Sequence, residues 1–161
     1  MPITLEAGDP APSFDLPDQD GVRHRLGDYA GRVVVLYFYP RDNTPGCTKE
    51  ACSFRDEYAD LTGAGVEVLG VSTDTAASHS RFRTKFELPF PLLVDEGGAM
   101  ASTYGAYGEK TLYGRKSVGI TRSTFIIGSD GRLLRVWKRA TADGHGAVVR
   151  RALAELGVVR S

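Results

Sequence analysis

The chain has few of the residues that mark a specialised scaffold: of 161, two are cysteine, three histidine and one tryptophan. Two cysteines cannot build the disulfide framework of a small secreted domain. No cysteine or histidine pair stands near a second such pair, so the zinc pattern is missing and no metal is expected. Charge of one sign is also lacking. The 20 basic residues balance 20 acidic ones, and no net field favours nucleic acid or an anionic membrane surface. No apolar run could span a bilayer, and Met1-Pro2-Ile3-Thr4-Leu5-Glu6 has neither a basic region nor a signal-length apolar stretch. A cytoplasmic protein without nucleic-acid or membrane partners is expected. Repeats, linkers and low-complexity tracts are absent, and the length suits one domain, 1–161, with a real core. The Gly-rich stretch 105–119 lacks Gly-Lys-Ser/Thr and follows no clear strand, which argues against a nucleotide site; no cofactor is expected.

What is present is an alternating pattern. Val33-Val34-Val35-Leu36-Tyr37-Phe38-Tyr39 is continuous, β-branched and aromatic, as suits a strand buried on both faces, and Pro40 ends it. A helix follows, with Ala51, Phe54, Tyr58 and Leu61 at helical spacing and Gly63 to Gly65 as its stop. Val66 to Val71 reads as a second buried strand, Ser72-Thr73-Asp74 as a cap, and the next segment as a helix carrying Phe82 and Phe86. This βαβα order predicts parallel strands with helices on the sheet faces. Leu92-Leu93-Val94 reads as a short strand, and 97–118 as a short helix plus an ordered loop. Thr124 to Ile127 and Leu133 to Trp137 flank Ser129-Asp130-Gly131, a hairpin signal. Ala147 to Leu156 is an amphipathic helix stopped by Gly157. Ser13 to Leu16 and Val22 to Leu26 form a further hairpin around Asp20-Gly21.

The chemistry concentrates at Pro40-Arg41-Asp42-Asn43-Thr44-Pro45-Gly46-Cys47-Thr48-Lys49-Glu50-Ala51-Cys52. Thr44 suits an N-cap and Pro45 the first helical position, which puts Cys47 third, where a capping box carries glutamate. Free N–H groups and the helix dipole favour an anion there, and helix N-termini depress cysteine pKa values. Ionisation alone has a ceiling: lowering a thiol pKa from ~8.5 to ~6 raises the thiolate fraction at pH 7 about thirtyfold, or roughly 2 kcal/mol. Rapid chemistry also needs groups that stabilise the transition state. The alternative for Cys47 is a small buried hydrophobe, and for Cys52 a packing residue. Five residues of regular helix separate Cα atoms by about 8.7 Å, beyond the ~7 Å that a disulfide allows, so the two thiols can join only if the first turns unwind.

Pro40-x3-Thr44-x2-Cys47 resembles the peroxiredoxin active-site pattern, and the second cysteine five positions on resembles the bacterioferritin-comigratory-protein or peroxiredoxin Q branch. The likeness covers nearly the whole chain. It includes Gly8-Asp9-x-Ala11-Pro12-x-Phe14, Tyr39-Pro40, Ser53-Phe54-Arg55-Asp56, Leu88-Pro89-Phe90-Pro91-Leu92-Leu93, Tyr104-Gly105-x2-Gly108-x-Lys110-x2-Tyr113-Gly114, Gly119-Ile120-x-Arg122-Ser123-Thr124-Phe125 and Gly144-His145. The resemblance implies an α/β, thioredoxin-like three-layer fold, with a central mixed sheet flanked by helices and an N-terminal hairpin. It also implies a peroxidase in which Cys47 attacks the peroxide and becomes a sulfenic acid. Thr44 would bond the attacking sulfur and peroxide oxygen, Pro40 would shield the site, Arg122 would stabilise thiolate and departing oxygen, and Glu50 would orient a guanidinium. Cys52 would resolve the sulfenic acid to a disulfide, reduced by thioredoxin or a similar dithiol. Peroxides and that reductant are the implied partners of a monomer or weak homodimer. Gly128 departs from the pattern, standing where the family often has Asp, which puts the hairpin turn in question.

His24, His79 and His145 fall on polar or helix-start stretches and are expected at surface or capping positions. Tyr104, Tyr107 and Tyr113 are expected to pack. A thioredoxin-like reductase would carry Cys-x2-Cys and a proline before the late strand; here the spacing is four and Arg122-Ser123 takes that place. A noncatalytic redox sensor or holdase switched by the Cys47–Cys52 disulfide is the other alternative.

Overall fold

The computed structural model describes residues 5–112 and 114–159. The chain runs β1 (Asp15–Pro17), β2 (Arg23–Arg25), β3 (Val33–Phe38), α1 (Pro45–Gly63), β4 (Val66–Ser72), α2 (Ala76–Phe86), β5 (Leu92–Val94), α3 (Ala99–Thr103), β6 (Tyr107–Leu112), β7 (Arg115–Ile120), β8 (Ser123–Ile127), β9 (Leu133–Trp137) and α4 (His145–Glu155). The main sheet has the order β5-β4-β3-β8-β9. β3, β4 and β5 are parallel, while β8 and β9 pair antiparallel, so the sheet is mixed.

β3 explains the unbroken apolar run. Val34, Leu36 and Phe38 enter one core with Phe14, Met100, Tyr104 and Phe125. Val35 and Tyr37 enter the other, with Ala51, Phe54, Leu61, Phe82, Val149 and Leu153 from α1, α2 and α4. Alternate residues thus point to opposite faces and both faces are covered, which removes any need for polar alternation. The hairpin β1–β2 and α3 cover the face opposite α1, completing three layers.

Two expectations are corrected. Residues 97–118 do not form a helix and a loop alone: after α3 the chain makes the β6–β7 hairpin, in register from Tyr107↔Ile120 to Leu112↔Arg115. Much of β7 is exposed, so neither strand carries the apolar face that would betray it in sequence. The cap of α2 is Thr75, whose Oγ1 accepts from Ser78 N at 3.1 Å, and Ser72 instead ends β4. At Gly128 the chain closes a tight turn, with its N–H donating to Arg132 O at 2.7 Å. A Cβ there would lie 3.2 Å from that same oxygen, so the turn has little room for a side chain. Tyr104 is buried and donates to Pro12 O, Tyr107 packs half-buried, and Tyr113 lies outside the described residues.

Candidate active site

The sheet brings together residues distant in sequence. β3 pairs with β8 through Phe38↔Ser123, so Arg122 sits at the sheet end where β3 gives way to the Pro40 loop. Arg122 is fixed there by its carbonyl, which accepts from Ala140 N at 2.8 Å. The Pro40 loop is pinned through Asp42, which accepts from Tyr39 Oη at 2.6 Å and Ser78 Oγ at 2.9 Å and lies 2.6 Å from His79 Nδ1. Asp42 N donates to Asp74 Oδ2, and His79 Nε2 donates to Leu93 O. Ligand atoms of Asp42, Asp74 and His79 gather within 4.8 Å, a grouping the spacing did not reveal. The bonds of Asp42 and His79 to Tyr39, Ser78 and Leu93, and of Asp74 to Ser72 Oγ, make the cluster an anchor for the loop.

Cys47 is the third residue of α1 and buried. Arg122 Nη2 donates to its Sγ at 3.4 Å, and Nη1 donates to Glu50 Oε1 at 2.6 Å. Glu50 is one helical turn from Cys47 on the same face, which lets one planar fork serve both. Gly46 makes this approach possible: a Cβ there would lie 3.1 Å from Arg122 Nη2. Burial, only partly offset by Arg122, lifts Glu50 from its ordinary 4.5 to about 7. Burial works against the guanidinium charge, but Glu50 and Cys47 together hold Arg122 above its ordinary value. Glu50 Oε2 and Tyr37 Oη are buried without a hydrogen-bond partner among the described residues. The arrangement sets a buried cysteine sulfur against a fixed cation, a setting that favours negative charge on sulfur or on an oxygen bound beside it.

Thr44 is the N-cap and Pro45 opens the helix, yet the Thr44 hydroxyl donates to Arg41 O at 3.0 Å and makes no capping bond. Pro40 borders an open groove of about 570 Å³, shared with Thr73, Tyr107 and Val118. Cys52 is half-buried, and both thiols are free. The helix is continuous between them, so the ~8.7 Å helical separation applies and they cannot join as placed.

The histidine expectation is overturned. His79 and His145 are fully buried, and His24 is half-buried between Tyr29 Oη and Asp18 Oδ2. Their partners come from other elements, so their polar sequence neighbours gave no warning. His145 Nε2 bonds Thr124 Oγ1 at 2.9 Å and its ring stands edge-on to Phe54 and Trp137. Burial, aided by Arg122, depresses it from 6.5 to about 4. Its neighbour Gly146 donates its N–H to Ser53 Oγ at 2.7 Å, and a Cβ on Gly146 would run into the Ser53 carbonyl. The start of α4 is thereby clamped to α1 immediately after Cys52. The Gly144-His145 and Ser53-Phe54 blocks were visible in sequence, but their contact was not.

Residues 7–136 match the AhpC/TSA family. The chain is 46% identical over 147 residues to a putative peroxiredoxin bcp of Coxiella burnetii, covering 91% of this chain and 97% of that one. It is 45% identical over 151 residues to peroxiredoxin Bcp of Escherichia coli K12, covering 94% and 97%. A Xylella fastidiosa PrxQ structure superposes with a TM-score of 0.90 at 32% identity, covering 96% and 99%. The bacterioferritin comigratory protein of Xanthomonas campestris, in a structure described for its alkyl peroxide reduction activity, superposes with a TM-score of 0.84 at 34% identity, covering 90% and 92%. With the thioredoxin-like fold and the Cys47–Arg122 geometry alongside these matches, the chain belongs to the AhpC/TSA family, in its Bcp/peroxiredoxin Q branch.

Proposed function

We propose that the protein is a two-cysteine thiol peroxidase that reduces hydrogen peroxide and organic hydroperoxides and draws electrons from thioredoxin or a similar dithiol. The observation that carries this reading is the single guanidinium, that of Arg122, bonded to both Cys47 Sγ and Glu50. The Cys47 thiolate attacks the terminal peroxide oxygen: an S–O bond forms, the O–O bond breaks, and the departing oxygen takes a proton to leave as an alcohol or water. Sulfur loses two electrons and the peroxide gains them. Arg122, already within reach of sulfur, stabilises the charge as it passes to the departing oxygen. Glu50 holds the guanidinium in plane, and Pro40 shields the site. The Thr44 hydroxyl would turn from Arg41 O to the peroxide.

Cys52 then attacks the Cys47 sulfenic acid. The S–S bond forms, the S–O bond breaks, and hydroxide leaves as water on taking a proton. α1 must open for this step, because its regular geometry keeps the two residues too far apart. A dithiol reductant restores both thiols by exchange and is left as its own disulfide. Alkyl hydroperoxides enter the reading through the activity described for the Xanthomonas campestris relative.

The test is steady-state peroxide consumption with thioredoxin, thioredoxin reductase and NADPH, on parent and Cys47→Ser. Turnover in the parent and its loss in the variant support the reading. A parent that is oxidised once and never turned over by any dithiol is a sensor rather than an enzyme.

A further inference from the structure

Ser53-Phe54-Arg55-Asp56 follows directly on Cys52 and takes no part in the thiol chemistry. Read from Ser53, the segment is a helix start: serine at the cap, an acid three positions on, and Glu57 adding a second acid to the same turn. It nevertheless lies inside α1, where these features are idle. The actual first turn of α1 has no acidic residue and no side-chain cap. Asp56 is exposed and bonds, among the described residues, only to Arg55 Nε at 3.2 Å.

From Ser53 onward α1 is tied to the rest of the fold by contacts that unwinding as far as Cys52 leaves in place. Gly146 N donates to Ser53 Oγ at 2.7 Å, Phe54 stacks on Tyr37 at 4.6 Å, and Arg55 Nη1 donates to Phe86 O at 2.8 Å. On the other side of that boundary the helix buries Glu50 with one carboxylate oxygen lacking a partner. The first turns, tied by Ala51 in the core and by the Arg122 bonds to Glu50 and Cys47, thus also carry a cost that opening relieves, while the turns from Phe54 onward keep all their contacts.

We propose that Ser53 is a latent N-cap: when Cys47 and Cys52 join, α1 unwinds as far as Cys52 and restarts at Ser53. The Ser53 Oγ then accepts from Asp56 N, and the Asp56 carboxylate accepts from Ser53 N, forming a capping box present only in the oxidised form. A hydroxyl oxygen has two acceptor positions, so the bond from Gly146 is kept. Unwinding to other points leaves the new end without this box. Ser53 and Asp56 are therefore positioning residues that set how far the Cys52 segment is freed and how stable the disulfide is. The proposal rests on the resolving role assigned to Cys52.

The test equilibrates parent, Ser53→Ala, Ser53→Thr and Asp56→Ala with glutathione redox buffers. There the Cys47–Cys52 bond breaks as two glutathione thiols become one glutathione disulfide, supplying two electrons and two protons. Ser53→Ala should lower the equilibrium constant for disulfide formation about tenfold, a shift of about 30 mV. Asp56→Ala should lower it about threefold without changing the thermal stability of the reduced protein, and Ser53→Thr should stay within about twofold of the parent. In the oxidised parent, hydrogen exchange should rise for amides up to Arg55 and stay slow from Asp56 onward. A purely structural Ser53 would weaken both redox forms equally; unchanged potentials in Ser53→Ala and Asp56→Ala overturn the latent cap alone. A parent that forms no Cys47–Cys52 link on peroxide treatment overturns the cap and the resolving role together.

Discussion

The Arg122 guanidinium is tied to Glu50, a carboxylate with no exposed surface, by a 2.6 Å bond from Nη1 to Oε1. That pairing leaves Nη2 directed at Cys47 Sγ, so the cation is positioned before any peroxide arrives. On the proposed mechanism, removing Arg122 takes away the donor for the departing oxygen; it also leaves the buried Glu50 without its partner. Arg122→Met should slow Cys47 oxidation by about 10²–10³-fold, the range for losing one such donor. The loss should persist at a pH where the thiol is fully ionised, measured by stopped-flow fluorescence or competition kinetics. Equal rates for variant and parent at high pH would confine Arg122 to ionising the thiol.

Gly46 is the steric condition for that reach. A methyl group there meets Nη2 at 3.1 Å, tighter than ordinary contact, and the flexible arginine must give way. Gly46→Ala should slow peroxide reaction by about tenfold, or ~1.4 kcal/mol, while the global melting temperature changes little. A rate equal to the parent's would show that the guanidinium tolerates displacement.

His145 ties stability to acid. Its folded-state pKa, depressed by burial and by Arg122 to about 4, lies below the 6.5 of the unfolded chain. Between these values the unfolded state binds the extra proton, so this group's contribution is full above 6.5 and lost as pH falls toward 4. Glu50, whose raised pKa acts in the opposite direction over the same window, offsets this loss, so the His145 contribution is read as the difference between the melting curves of the parent and His145→Asn. His145→Asn should melt lower at pH 7, where it lacks the ring between Phe54 and Trp137, but should lose less stability on acidification. Parallel curves for the two proteins would remove His145 as the titrating group.

Much of the site was legible because its parts are local. Thr44, Pro45, Cys47 and Glu50 lie within two helical turns, and capping chemistry plus helical spacing is enough to put them at a helix start. Arg122, 75 residues from Cys47, was accessible only through resemblance to a family. The clamp between Gly146 and Ser53 and the anchor of Asp42 by His79 were not legible, because they depend on which elements the sheet order makes neighbours. The β6–β7 hairpin escaped for another reason. Glu109, Arg115, Lys116 and Ser117 give its strands no apolar face, so pairing leaves no hydrophobic period to read.

Glu50 makes opening of α1 sensitive to pH. Burial, against the opposing pull of Arg122, raises its folded pKa to about 7 from 4.5. In an unwound segment the carboxyl returns to water and to its ordinary value. A raised carboxyl stabilises the closed helix fully below about 4.5, and that contribution is lost as pH rises through 7. Opening should therefore become easier from pH 5 to 7.5, the direction that would favour the proposed attack of Cys52 on an oxidised Cys47. In the reduced protein, exchange of amides 45–52, corrected for the intrinsic pH dependence, should show an opening constant that rises about tenfold or more over this range. Glu50→Gln, which cannot ionise, should show a nearly flat profile. A rise of the same size in the variant would mean that the opening is governed by some other group, and that the burial of Glu50 is only the means by which Arg122 is held.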